Sequence, residues 1–342
     1  MMKENQVQEA TEEHPGFKPV VIEAEEKEEI NTEAISYSRD AWRRLVRNKS
    51  AFISAVIIVL IAIMAFVGPH MNKWSFKDQD IKASNVPPKV GILEDVNWLP
   101  FTGVNADGVD LYKERNLNEN YWFGADKLGR DIWTRTWKGT QISLIIALIA
   151  TLADLLIGVI YGGISGYFGG NVDNVMQRFV EILMGIPQLV IIILLIMVLK
   201  PGLLSIILAI ALTGWIGQSR IVRGQILKIK SSEYIMAARK LGAKPGRLIG
   251  KHLLPNTMGQ IIITTMFSIP SAIFAEAFLS FIGLGIPQPN ASLGTLIDAG
   301  SKVVDIHPYQ VMLPAIVLAL LLICFNLFAD GLRDALDPKM RR

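Results

Sequence analysis

Long apolar runs separated by polar, turn-rich stretches set the pattern of this chain. Ala51–Val67 is nearly unbroken Ile, Val, Ala and Leu and stops at Gly68-Pro69. A hydrocarbon core of ~30 Å takes about 20 helical residues, so this run predicts a first membrane-spanning helix. Further runs predict spans at Ile142–Ser165, Phe179–Leu199, Leu203–Val222, Ile261–Ile282 and Tyr309–Ala329. Gly158, Gly162 and Gly163 interrupt the second of these, where small residues let helices approach closely. Pro187 predicts a kink in the third span, and Pro270 lies inside the fifth. Gly166–Asp173 and Lys200–Gly202 read as turns, and Gly283–Pro308 as a Gly/Pro/Asn connector. The pattern predicts an all-α membrane protein with six transmembrane helices.

The polar stretches divide the rest. Residues 1–38 are rich in Glu, Lys and Gln, with too few apolar residues to build a core, and predict a disordered tail. Residues 39–69 hold a short basic helix followed by the first span. In that helix Trp42, Leu45 and Val46 are expected on one side, lying along the membrane surface. Residues 70–138 form a long polar segment carrying five of the seven tryptophans, expected to fold into a small cap. Residues 139–330 hold the remaining spans, with a polar loop at 223–256, and 331–342 form a second tail.

Half of the 342 residues are hydrophobic, and the charges gather in a few places. Cys324 is the single cysteine, which rules out an internal disulfide framework. Arg39, Arg43, Arg44, Arg47 and Lys49 precede the first span and predict a cytoplasmic N-terminus. Six spans bring the C-terminus and the fourth-to-fifth loop to the same side, where Arg220–Lys251 holds nine Lys and Arg against one Glu. The short outer connectors carry only Lys200 and Lys302. The long 70–138 segment, balanced in charge and exempt from the short-loop rule, falls outside. Membrane lipid is the partner these basic flanks predict; nucleic acid is not expected.

Ser232–Asn256 is the segment that a self-contained membrane bundle would not need. Ser232 suits an N-cap, Glu233 the first turn, and Gly242 a helix stop. Ile235, Ala238 and Leu241 recur at helical spacing with Tyr234 beside them, while Arg239 and Lys240 lie off that side. Ala237 and Ala238 are small enough to let another backbone come close. Pro245 fits the first turn of a second helix, and Pro255 is expected to end it. Two readings follow from the residues: a helix lying on anionic lipid, or a docking surface for another protein.

The segment resembles the EAA loop of ABC-importer permeases, with Ala237, Ala238, Gly242, Leu254 and Pro255 in register. Met236 stands where that pattern has Glu, and His252 where it has Ile. Phe123–Asp131 with Thr134-Arg135 resembles the FGTDxLGRDxxSR signature of the peptide/nickel branch, and Gly331–Pro338 resembles its GLRDALDP ending. The likeness covers about Ser38 to the C-terminus and is to the C-type permease of oligopeptide importers. It implies that Tyr234, Ala237, Ala238, Arg239, Gly242, Leu254 and Pro255 couple to an ATPase. It also implies a second homologous permease, two ATPase subunits and an extracellular peptide-binding protein as partners, with a peptide as substrate, in a bacterial plasma membrane. Dipeptides and nickel chelates are the alternative cargoes of the same branch.

No Gly-x4-Gly-Lys-Ser/Thr loop is present, so ATP and Mg are expected on the partner ATPases, and no cofactor on this chain. The four histidines are scattered, and neither an HExxH nor a GxSxG motif appears, which argues against a membrane-embedded enzyme. A secondary transporter working without an ATPase is the competing class; it would have no use for a docking loop. Asp154, Glu181 and Glu276 lie in or near apolar runs, where a mid-bilayer carboxylate costs about 2.5–3.5 kcal/mol. Glu181 has Arg178 on its own face. For Asp154 and Glu276 two roles stay open: lining a translocation path, or bonding helix to helix.

Overall fold

The computed structural model describes residues 37–91, 101–105 and 108–336. The tail expected over 1–38 lies outside the described residues up to residue 36, as does the chain after Leu336. The chain divides at Asp40. The part before that point contributes only the opening residues of α1 (Tyr37–Arg47), and the contacts below are those of Ala41 onward.

In α1, Leu45 is buried against Ala51 and Ala335, whereas Trp42 and Val46 face outward. The three apolar residues do not share one face, because Leu45 and Val46 point about 100° apart on a helix. Asn48 then caps α2 (Lys49–Val67), its Oδ1 accepting from the Ala51 N–H at 3.3 Å.

The described residues of the segment after α2 pack into a small cap without a named strand among them. A one-turn helix (Leu111–Glu114) and isolated bridges such as Lys89 with Thr102 surround a small core. That core holds Ala83, Val86, Tyr112, Tyr121 and Ala125, with Trp74 stacked on Tyr121 at 4.9 Å. Gly129 has φ +70°, and the Asp80 carbonyl occupies the place a Cβ would take. Arg130, 2% exposed, donates to Asp126 at 2.7 Å and to Gln288 at 3.2 Å, tying the cap to the chain ahead of a later helix. This gives the Phe123–Asp131 signature a structural task.

Asp131 caps α3 (Ile132–Phe168), a 37-residue helix that starts well before the apolar run and carries on through the predicted turn at Gly166. After Gly169 come α4 (Gly170–Met184) and α5 (Gln188–Leu199), bent by 80° across Gly185–Pro187. The expected third span is therefore two helices set at an angle. Pro187 has no N–H to donate, and a proline disfavours the helical region for the residue before it. Then follow α6 (Leu203–Ile229), α7 (Glu233–Lys240) and α8 (Pro245–Leu284). Pro255 does not end α8. The wider turns of Leu248–Leu253 absorb its missing donor, and the helix runs on through Pro270. Within the expected Gly283–Pro308 connector, Ser292 and Thr295 form a capping box that starts α9 (Leu293–Ser301). Last comes α10 (Tyr309–Leu336). Helices overrun their apolar runs because hydropathy marks only what lies in lipid, while backbone hydrogen bonding continues into the polar flanks.

The α3–α6 contact decides the topology. Gly158 meets Gln218, Gly162 meets Ser219 and Val222, and Gly166 meets Arg223 and Ile226. Partner numbers rise together, so the two helices run parallel. The chain between them must travel back the length of the contact and beyond, roughly 35 Å at about 1.5 Å per residue. The bent pair α4–α5 makes that return. With α2, α3, α6, α8 and α10, each long and apolar enough to span, it gives up to six crossings. Antiparallel packing of α2 and α10 sets Gly331 against Ala51. The start of α2, the end of α10 and α7 consequently share one end of the bundle. The cap and the start of α3 occupy the other, where Gly68 touches Trp137.

Candidate functional site

Two features carry chemistry: the α7 surface and an open pocket beside Asp154. Ser232 occupies the N-cap of α7, but its hydroxyl donates back to the Ile229 carbonyl at 2.7 Å. Ile235, fully buried, anchors α7 against Tyr167, Val222, Ile226, Leu248, Leu253 and Ile261, with Ala238 packed beside it. The rest of α7 faces away. Tyr234, Met236, Ala237, Arg239 and Lys240 are exposed, and Leu241 is 89% exposed. Leu241 leaves the inner face that its spacing predicts because the helix stops at Lys240. The stop comes from Gly242, whose φ of +84° is costly for any residue with a Cβ. The N–H groups of Leu241, Gly242 and Ala243 close the turn on the carbonyls of Ala237, Arg239 and Ala238.

Leu254 is half-buried and Pro255 exposed, one helical stretch beyond. The α7 residues and Leu254 are thus joined through the Ile235 cluster. Sequence reasoning missed Tyr167, whose ring lies under the Arg239 guanidinium 5.4 Å away. It also missed the network beside it. Arg223 donates twice to Asp173, at 2.6 Å each, Ser165 donates to the same carboxylate, and Lys230 donates to the Gly166 carbonyl at 3.0 Å. These bonds bind the adjoining ends of α3, α4 and α6. Ion-pair partners far apart in sequence leave no local signal to read.

Asp154 and Glu276 occupy different surroundings. Glu276 is fully buried and accepts from Ser143 of α3 and from Ser280, both at 2.7 Å. Ser143 in turn accepts the Leu293 N–H of α9 at 3.2 Å, so the carboxylate ties three helices. Glu181 pairs with Arg178 at 2.9 Å on an exposed face. Asp154 is 5% exposed, lies against Gly214 of α6, and has an Oδ1 buried without a hydrogen-bond partner. It lines a cavity of about 290 Å³ with Gln188, Thr264, Phe267, Ser268 and Ser271 among its walls. The polar residues of α8 in that wall fall between Ile261 and Ile282 and look unremarkable in sequence, because hydroxyls are common inside membrane helices.

The structure is thus a bundle of membrane-length helices with an outward-presented basic helix at one end and a folded cap at the other. The chain belongs to the family of binding-protein-dependent transport system inner membrane components, whose model matches residues 156–342. A second model, the N-terminal TM domain of oligopeptide transport permease C, matches residues 36–88. The chain is therefore a multi-pass protein of the bacterial plasma membrane. Among its relatives, the dipeptide transport system permease protein DppC of Bacillus subtilis (strain 168) is 44% identical over 93% of this chain and 90% of that protein. The oligopeptide transport system permease protein OppC of the same organism is 41% identical over 95% and 97%. The OppC of Escherichia coli (strain K12) is 34% identical over 92% and 95%.

Proposed function

We propose that this chain is the C-type permease subunit of an ABC importer that carries oligopeptides across the plasma membrane. Its partners are a second, related permease, two ATPases that bind and hydrolyse ATP with Mg, and an extracellular peptide-binding protein. The observation that carries the reading is α7. One residue, Ile235, is sunk fully into the bundle, while Tyr234, Met236 and Leu241 stand exposed among basic residues. A surface with apolar groups held outward on an anchored helix fits a protein groove. Residues Tyr234, Ala237, Ala238, Arg239, Gly242, Leu254 and Pro255 form or shape that surface, which faces the cytoplasm. ATP binding closes the ATPases and moves α7. Because Ile235 is locked to the ends of α3, α6 and α8, that motion rocks the helices and opens the central path alternately to each side. The cap receives peptide from the binding protein. Asp154, in the cavity, lies on the path, and Glu276 holds the helices that form it.

The test is copurification of the four-subunit complex, with ATP-dependent uptake in proteoliposomes. Ala237→Glu with Ala238→Glu should release the ATPases and stop uptake. Uptake that continues without nucleotide would overturn the proposal. Competition between dipeptides and longer peptides sets the preferred length.

A further inference from the structure

Every hydroxyl lining the Asp154 cavity has its own proton committed to the helix that carries it. Thr264 donates to the carbonyls of Gln260 and Ile261 at 3.0 Å each, Ser268 donates to Thr264 at 3.2 Å, and Ser271 donates to Phe267 at 3.0 Å. What these oxygens leave for the cavity is lone pairs. Gln188 donates one of its two amide N–H groups to the Thr213 hydroxyl at 2.9 Å. Asp154 adds a carboxylate that is 95% removed from solvent and has one oxygen unbonded. No Lys, Arg or His lines the cavity. Gly214 leaves the space the carboxylate occupies, since a Cβ there would collide with it. The wall therefore presents mostly hydrogen-bond acceptors, one of them a carboxylate, and no cationic side chain.

A group that satisfies such a wall must be cationic and rich in N–H donors. The volume, about 290 Å³, falls just below the roughly 300–1,000 Å³ of whole-ligand pockets, which suits one end of a peptide. We propose that Asp154, with the hydroxyl oxygens of Thr264, Ser268 and Ser271, receives the α-ammonium group of the peptide as it crosses. This rests on the peptide-permease reading and names the end of the substrate that the permease itself reads. An ammonium carries three N–H donors, and it neutralises a carboxylate that the bilayer interior otherwise penalises. The hydroxyl contacts are neutral and weak enough for release.

The experiment uses the complete reconstituted transporter, with a peptide and its Nα-acetylated form chosen so that both saturate the binding protein. Uptake of the unmodified peptide by the wild type checks the underlying reading; if it is absent, that reading fails. Given that uptake, Asp154→Asn should lower transport of the free-amino peptide by about tenfold to a hundredfold, the range for a lost charge-assisted bond. The acetylated peptide should be unaffected. An equal loss for both peptides, or no loss for either, overturns the proposal. If the Asp154→Asn complex does not assemble, Ser268→Ala with Ser271→Ala removes two acceptors and keeps the charge. Selective loss of free-amino transport then supports the proposal, and an unselective result or none overturns it.

Discussion

The Arg239 guanidinium lies over the ring of Tyr167, 5.4 Å from its centroid, joining the exposed face of α7 to the last turn of α3. Tyr167 neighbours Gly166, whose carbonyl Lys230 holds, and Gly166 packs on Arg223 and Ile226 of α6. A displacement of α7 thus reaches two spanning helices through a few contacts. A cation over an aromatic face contributes about 0.5–1 kcal/mol where water has access. Tyr167→Phe keeps the ring and should keep coupling. Tyr167→Leu should lower peptide uptake per ATP hydrolysed about two- to fivefold, the equivalent of that energy. Simultaneous assays of uptake and hydrolysis decide it, and an unchanged ratio would remove Tyr167 from the route.

Gly242 is the second point to test. Its φ of +84° has open space around it, so a methyl group meets no neighbour and the cost is conformational alone. Gly242→Ala should destabilise the end of α7 by roughly 1–2 kcal/mol. The expected result is weaker retention of the ATPases on an affinity column, with the membrane domain still folded.

Adjacent glycines of α3 should behave oppositely. At Gly162 a Cβ would strike the Ser219 carbonyl, whereas at Gly163 it would meet only the side chains of Ile249 at 3.5 Å and Ile226 at 4.0 Å. Gly162→Ala should force α3 and α6 apart and lower the melting temperature of the purified complex, at about 1–3 kcal/mol for overpacking. Gly163→Ala should be neutral, or stabilising by up to about 1 kcal/mol through helix propensity. Equal melting temperatures for the two variants would contradict the parallel α3–α6 register.

Glu276 and Asp154 should separate by phenotype. Glu276→Leu deprives the Ser143 and Ser280 hydroxyls of their acceptor in the interior, at about 1–3 kcal/mol for each unsatisfied group. Lower yield and melting temperature should follow, with the remaining transporters showing unaltered preference between free and acetylated peptides.

Asp131, the cap of α3, gives the pH dependence. Burial pushes its carboxyl above the ordinary range, although hydrogen bonds from Thr134 and Asn72 pull the other way. The folded-state value lies above the unfolded one, so the stabilising contribution is complete at pH below the unfolded value. It is lost as pH rises through the folded value. Asp131→Asn keeps an acceptor for the Thr134 N–H, 2.8 Å away, and removes the titration. Its melting temperature at neutral pH should match or exceed the wild type, and the advantage should vanish in acid. Asp131→Ala loses the cap at every pH, for about 1 kcal/mol.

Much of the architecture is written in local pattern. The apolar runs, Gly242, Pro245 and the Ser232–Asn256 insert are legible because helix length, left-handed turns and helix starts depend on near neighbours. The bend at Pro187 is legible as a position, but its 80° amplitude is not, since a missing donor permits a break without setting its angle. Pro255 misleads for a related reason: a widened turn upstream supplies an alternative that no residue announces. Leu241 fits the inner face by spacing and leaves it because the helix ends one residue earlier.

The sequence by itself determined that this chain spans a membrane repeatedly and presents a basic insert between two spans, because solvent preference accumulates residue by residue. It also placed Asp154 and Glu276 in apolar runs. Only the tertiary structure separated the two carboxylates, giving one a full set of hydroxyl donors and the other an acceptor-lined cavity. That division depends on which hydroxyls from distant helices arrive beside each oxygen, and whether their protons are already committed.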